Sequence, residues 1–265
     1  MSCWLRPGEA RDPVLADLER ADEVFEERLE PERLDESIEL YRGILAEHPN
    51  DPRVLAALSR AWSARAWGLS GPAQADEYER ARAYGLRCLE RNPGFSSRVE
   101  LAAGRLTEGA VRQLTVSDAA CLDATLLAWT RWVELRGPAA AIDLEPIRLM
   151  ARQSRLLGEG WVGPWSEAMA MVLLEGPLER ELPRSRALFR NAINAEPSLA
   201  VAHLDYARHQ LLLEGERSAF ERELRSFDES HPPDTDGAWA LENKAARERA
   251  AELYEESGEV WSARW

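Results

Sequence analysis

Two tryptophans in the stretch GEGWVGPW (158–165) are the residues that most strongly suggest a binding site. Trp161 and Trp165 stand among glycines and a proline, where packing between regular helices explains a large aromatic ring poorly. Because an indole ring offers a broad apolar surface, this spacing predicts a loop that forms an aromatic wall around an apolar ligand. The alternative is that both rings pack in the core.

A polar amide near the C-terminal end is the second candidate. Trp239, Ala246, Ala250 and Leu253 fall within a narrow arc of a predicted helix, and Asn243 lies inside that arc. An amide on a buried face needs hydrogen-bond partners. We favour a structural bond to a neighbouring loop or helix end, and the alternative is contact with a ligand or a partner.

The histidines and the acidic residues form no pattern that indicates catalysis or metal binding. His203 and His209 are six residues apart in one predicted helix, so they should point to different faces. The chain contains neither the HExxH motif of zinc enzymes nor the GxSxG turn of hydrolases. We therefore predict that the protein is not an enzyme and needs neither a cofactor nor a metal ion.

The overall charge narrows the classes of partner. The net charge is −14 and the isoelectric point is about 4.9. Because an acidic surface repels phosphate backbones, we predict that the protein binds no nucleic acid. No apolar run approaches the roughly 20 residues that span a bilayer, so we expect no transmembrane segment.

The cysteines bear on the cellular compartment. Cys3, Cys88 and Cys121 fit no zinc or redox spacing. Cys88 and Cys121 lie in apolar helical patterns, which predicts buried thiols rather than a disulfide. The start MSCWLRPGEARDP lacks the basic and apolar regions of a signal peptide. Cys3 would suit the lipidated first residue of a mature bacterial lipoprotein, although no lipobox precedes it.

Helices must position these residues, because strand signals are scarce. Leu34, Ile38 and Tyr41 recur at steps of three and four residues, which predicts one apolar helix face. Asp51 then suits the N-cap of the next helix, and Pro52 suits its first position.

The same unit recurs and predicts tetratricopeptide-like helical hairpins, which are about 34 residues long and close on a proline. The second helix of such a unit carries a small residue, a bulky one, a small one and then the proline. Three sets occupy these places: Ser37, Tyr41, Ile44 and Pro49; Ala81, Gly85, Cys88 and Pro93; and Ser185, Phe189, Ala192 and Pro197. Small residues let two helices approach closely. The excess length between the first two sets predicts a loop at 68–75 (GLSGPAQA).

The central third of the chain matches the repeat poorly but still predicts helices, near 97–113, 118–136, 144–157 and 164–175. The helix at 118–136 is the most apolar of them. A helix that is apolar nearly all round is buried between neighbours, so we place it at the centre of the fold.

The expected architecture is therefore all-α, with tetratricopeptide-like helical hairpin repeats that form one compact superhelical scaffold over residues 1–265. Within it we distinguish N-terminal repeats (11–93), irregular central helices (94–175) and C-terminal repeats (176–256). The tail (257–265) either serves as a docking peptide or packs back over the last repeat.

Several stretches resemble a known family, the T component associated with TRAP (tripartite ATP-independent periplasmic) transporters. LLAWTRWVELRG (126–137) is similar to the aromatic helix of that family, and IRLMARQSRLLGEGW (147–161) is similar to the helix and the glycine-containing loop that follow. LPRSRALFRNAINAEPS (182–198) resembles its best-formed repeat helix, and WALENKAARERAAELYE (239–255) resembles its closing helix. YGLRCLERNPGF (84–95) resembles its N-terminal repeat.

The resemblance implies a self-associating scaffold in the periplasm, often lipid-anchored, that holds a TRAP-type solute-binding protein or passes an organic acid to it. On chemistry and position we name Trp132, Trp161, Trp165, Tyr206 and Asn243 as candidate contacts with the ligand or the partner. The alternative is a cytoplasmic tetratricopeptide-repeat adaptor for protein assembly, because repeat grooves bind peptides with little sequence trace. The missing signal segment favours this alternative.

Overall fold

The structure, a computed structural model, describes residues 12–173, 181–230 and 239–263, and every regular element in these ranges is a helix. The helices are α1 (Pro13–Glu26), α2 (Pro31–Glu47), α3 (Pro52–Trp67), α4 (Gly71–Leu89), α5 (Pro93–Leu101), α6 (Glu108–Val111), α7 (Ala119–Arg136), α8 (Leu144–Leu157), α9 (Val162–Val172), α10 (Leu182–Ala195), α11 (Ala200–Asp205), α12 (Leu212–Glu214), α13 (Arg217–Ser230) and α14 (Ala240–Ala263). A π-helical turn (Tyr206–Leu211) joins α11 to α12. The predicted all-α fold is confirmed, whereas the assignment of the hairpins to tetratricopeptide repeats remains a prediction.

The starts of the N-terminal helices follow from local sequence. The Asp12 carboxylate accepts a hydrogen bond from the backbone N–H of Val14 at 3.0 Å and so caps α1. The predicted cap of α3 is confirmed, since Asp51 accepts from the N–H of Arg53 at 2.9 Å. Both α1 and α3 carry a proline in the first turn. Proline is tolerated there because the N–H groups of the first turn have no acceptor inside the helix, so the N–H that proline lacks is not missed.

Two predicted elements are wrong. The loop at 68–75 is much shorter, because α4 begins at Gly71, and Gln74 on its first turn donates to the carbonyl of Ala66 at 3.0 Å. The helix predicted at 97–113 is two helices, α5 and α6, because the chain adopts a positive φ at Ala103 and Gly104 and cannot stay helical there.

The central position predicted for the most apolar helix is confirmed. Helix α7 packs against α3, α4, α8 and α9, and most of its side chains are buried. A second, smaller group of buried side chains lies between α1, α2 and α3. Helix α14 returns to pack on α3 and α11 and continues to Ala263, into the segment that the sequence separates as a tail.

Gly85 brings α4 unusually close to α7. A Cβ atom added at Gly85 would lie 2.5 Å from the Thr125 Oγ1 and 2.9 Å from the Thr125 Cα. This close approach also brings Cys88 and Cys121 together, with their Cα atoms 5.5 Å apart. The two thiols predicted to be free form a disulfide that ties α4 to α7, while Cys3 lies outside the described residues.

None of the helices in the described ranges is long and apolar enough to cross a membrane.

Candidate functional site

A cavity of about 690 Å³ lies between α1, α3 and α7, with the start of α9 and of α14 beside it. We call it the large cavity. Alanines leave the space open: Ala56, Ala57 and Ala64 on α3 and Ala120 and Ala124 on α7 line it. Because a methyl group cannot fill the gap between two helices, the room for a ligand follows from these residues.

Aromatic rings form the apolar walls of the large cavity. Phe25, Trp67, Trp161 and Trp239 line it. The rings of Trp161 and Trp239 meet edge to face, with centroids 5.9 Å apart, and Trp161 meets Trp165 in the same way at 5.6 Å. Such contacts hold large rings in one orientation, so the wall is formed before any ligand binds.

Guanidinium groups stand at the same cavity. Arg28 is buried, lies 3.3 Å from the Glu242 carboxylate and sits over the Phe25 ring at 4.7 Å. Arg60 is half exposed and faces Asp22 at 3.5 Å. Burial raises the pKa of Glu242, although the Arg28 charge acts in the opposite direction.

Several further polar groups line the large cavity, among them Ser63 and Asp123. The Ser63 side chain is 2% exposed, and its hydroxyl has no hydrogen-bond partner within the described ranges. Asp123 accepts a hydrogen bond from the Ser154 hydroxyl at 2.7 Å and has no cation within 4 Å among the residues that the structure describes. Burial therefore raises the pKa of Asp123. An apolar chamber with a few polar groups is the usual form of a small-molecule site.

The structure separates the candidates named from the sequence. Trp161 lines the large cavity, and Trp165 supports it from behind as a fully buried residue of α9. The predicted loop around these two rings is wrong, because α9 begins at Val162, directly after Trp161. Trp132 lies elsewhere, under the guanidinium of Arg82 at 4.2 Å.

Tyr206 and Asn243 also lie apart from the large cavity. Tyr206 packs on Phe189, with centroids 5.8 Å apart, and lines a separate cavity beside α10 and α13. Asn243 accepts from the backbone N–H of Ala200 at 2.8 Å and donates to the Ser198 carbonyl at 2.9 Å. The favoured interpretation of Asn243, a structural bond to a helix end, is confirmed.

Behind Trp165 lies an ion-pair network that no sequence pattern predicts. Arg131 is buried and donates to Asp205 at 2.5 and 3.1 Å and to Glu134 at 2.6 Å. Trp165 Nε1 donates to the same Asp205 carboxylate at 2.8 Å. The network spans 74 residues of sequence between Arg131 and Asp205, so no local signal could have revealed it.

The ligand atoms of Glu134, Asp205 and His209 all lie within 4.8 Å of one another. In the structure, however, Arg131 bridges the two carboxylates, and His209 bonds to Glu134 at 3.0 Å. Burial alone would raise the pKa of Glu134, but Arg131 and His209 outweigh it and hold this pKa well below its usual range. The cluster is thus arranged as an ion-pair network rather than as a set of metal ligands.

The glycines beside Trp161 have a spacing that is also found in nucleotide-binding turns. GEGWVG (158–163) matches the GxGxxG pattern of dinucleotide-binding turns. That pattern needs a preceding strand, and here helix α8 ends at Leu157. Gly163 has a packing role instead, because an added Cβ would lie 2.8 Å from the Ser154 Oγ and 3.1 Å from the Ala151 carbonyl.

Comparison with known proteins adds one match. A family model described as the TRAP transporter T-component matches residues 32–261, which is nearly the entire chain. No curated protein matches the chain. The T-component family is a non-catalytic component of TRAP transporters. The chain therefore belongs to the TRAP transporter T-component family.

Proposed function

We propose that this T component works beside the solute-binding protein of a TRAP transporter and that its large cavity holds an organic acid. The proposal that the large cavity binds an organic acid is supported by its aromatic walls and by the arginines in its lining. Aromatic walls suit the carbon skeleton of such an acid, and a guanidinium suits its carboxylate.

Arg60 is the arginine best placed to receive the carboxylate. Its side chain is 52% exposed, so it is accessible from the mouth of the cavity. Its ion pair with Asp22 is long, at 3.5 Å, and such an exposed pair contributes little free energy. Arg28, by contrast, is buried and engaged with Glu242 and the Phe25 ring, so it shapes the wall.

The Cys88–Cys121 disulfide supports the periplasm as the compartment. Disulfides persist in the oxidising periplasm and are rare in the cytoplasm, where thiols are kept reduced. This favours the transporter role over the cytoplasmic adaptor. A lipid anchor and self-association belong to the same proposal, by resemblance to the family.

The ligand part is tested by displacement of a fluorescent probe, 8-anilinonaphthalene-1-sulfonate, by octanoate. We expect octanoate to displace the probe from the wild-type protein. Arg60→Gln should weaken the octanoate effect, and Ala64→Phe, which fills the cavity, should abolish it. Arg42→Gln is the matched control, because Arg42 is similarly exposed and pairs with Glu39 on α2, away from the cavity. Unchanged displacement in Ala64→Phe would show that the acid binds elsewhere.

The partner part is tested by cross-linking the tagged protein in its native cells and identifying captured proteins by mass spectrometry. A TRAP-type solute-binding protein should be recovered. Recovery of cytoplasmic proteins alone would contradict the transporter role.

A further inference from the structure

A second cavity, of about 220 Å³, lies where α4, α7 and α14 meet the π-helical turn. We call it the arginine cavity, because Arg131, Arg208 and Arg249 line it together with Tyr78. It shares no lining residue with the large cavity. The Trp67 ring stands between the two sets of residues: it lines the large cavity and is covered by the guanidiniums of Arg131 and Arg249 at 4.9 and 4.8 Å.

Two buried hydrogen-bond donors of the arginine cavity lack a protein acceptor within the described ranges. Tyr78 is 1% exposed, and its hydroxyl has no hydrogen-bond partner there. The Nε–H group of Arg131 is likewise buried without an acceptor, although the Nη groups of the same side chain are bonded to carboxylates. A buried donor without an acceptor costs about 1–3 kcal/mol, so an acceptor from outside the protein would be favoured here.

Arg249 supplies a positive charge that forms no ion pair with any described residue. No carboxylate lies within 4 Å of its guanidinium in the part of the chain that the structure describes, and its close contact is the Trp67 ring. Burial lowers the pKa of Arg249, and the neighbouring Arg131 charge lowers it further. The charges of Glu134 and Asp205 act in the opposite direction but do not offset these two effects.

The carboxylates that line the arginine cavity do not form an ion pair with Arg249 among the described contacts. Glu134 is already bonded to Arg131 at 2.6 Å, to His209 at 3.0 Å and to Arg208 at 3.3 Å. Glu252 lies one helical turn after Arg249 but forms no ion pair with it among the described contacts. Glu134 and Glu252 do limit the charge that a ligand can carry, because two carboxylates in the wall repel a dianion more strongly than a monoanion.

We infer that the arginine cavity binds a small monocarboxylate, whose oxygens accept hydrogen bonds from the Tyr78 hydroxyl and the Arg249 guanidinium. The volume sets an upper limit on the size of the ligand. At about 30 Å³ for each water in the liquid, the cavity corresponds to roughly seven waters, so an acid of the size of acetate or propionate fits with room left for water. This site is independent of the organic acid proposed for the large cavity, because different residues form it.

Acetate is the probe for this site. Binding to the purified full chain is measured by saturation-transfer NMR on acetate, and thermal unfolding is followed in acetate and in chloride of the same ionic strength. We expect saturable binding to the wild-type protein and a higher midpoint of unfolding in acetate than in chloride. Sulfate, a dianion, should bind more weakly than acetate.

Tyr78→Phe and Arg249→Gln should each weaken acetate binding about tenfold, as expected for the loss of one hydrogen bond to a charged group. Lys244→Gln is the matched control, because Lys244 is an exposed cation of the same helix that does not line the cavity. Tyr78→Phe keeps the ring and removes only a hydroxyl that has no partner within the described ranges, so it should fold and be at least as stable as wild type in chloride. Acetate binding that is absent in the wild type, equal in Tyr78→Phe and Lys244→Gln, or weaker than sulfate binding would overturn the inference.

Discussion

Asp205→Asn should destabilise the protein strongly, because Asp205 is the carboxylate that Arg131 and Trp165 share. The side chain is 1% exposed, accepts two hydrogen bonds from Arg131 and accepts a third from Trp165 Nε1. The asparagine amide has the same shape but no charge. The buried guanidinium would therefore lose one of its two carboxylates while its desolvation stays the same.

The magnitude follows from what remains after the substitution. Breaking a buried ion pair costs about 3–5 kcal/mol. Glu134 would still lie 2.6 Å from Arg131, so we expect the lower end of that range, about 3 kcal/mol. At roughly 2–4 °C for each kcal/mol, the midpoint of thermal unfolding should fall by about 6–12 °C.

Urea unfolding followed by circular dichroism measures the loss. Asp35→Asn is the matched control, because Asp35 also pairs with an arginine, Arg65, at 3.4 Å, but its side chain is 60% exposed. Removing that exposed pair should cost less than about 1 kcal/mol. If Asp205→Asn lowers the free energy of unfolding no more than Asp35→Asn does, burial does not strengthen the ion pairs of Arg131, and the reasoning is refuted.

Two other substitutions test the packing around α7. Gly85→Ala should lower the free energy of unfolding by a net ~1–2 kcal/mol, because the clash with Thr125 outweighs the gain in helix propensity. The control Gly43→Ala, on open surface, should stabilise the protein. Equal urea midpoints for the two variants would contradict this reasoning. Asp123→Asn should stabilise at pH 7 and lose this gain near about pH 4. Burial raises the pKa of Asp123 in the folded state, so wild-type stability falls as pH rises through that pKa; a pH-independent difference would refute the assignment.

The candidate site shows how far sequence reasoning extends. The sequence predicts an aromatic wall at Trp161, and this ring does line the large cavity. Its neighbours Phe25, Trp67 and Trp239 carried no signal that would group them, because they come from three distant segments. Asn243 was recognised as a buried amide that needs partners, but only the structure identifies the start of α11 as the group that it bonds.

The sequence by itself determined the helices, because their signals are local. Asp51 and Pro52 begin α3, the period of apolar residues gives each helix its buried face, and the most apolar helix, α7, lies at the centre. The motifs along the chain were also enough to indicate the family. These properties depend on residues within a few turns of one another.

Tertiary structure decided the features that join distant segments. The thiols of Cys88 and Cys121 meet only because Gly85 lets two helices approach, and Arg131 finds Asp205 only when α7 and α11 pack around Trp165. The large cavity forms where alanines of α3 and α7 face one another, and the arginine cavity forms where arginines of three segments meet. Which faces meet depends on the packing free energy of the whole fold, so no local pattern specifies it.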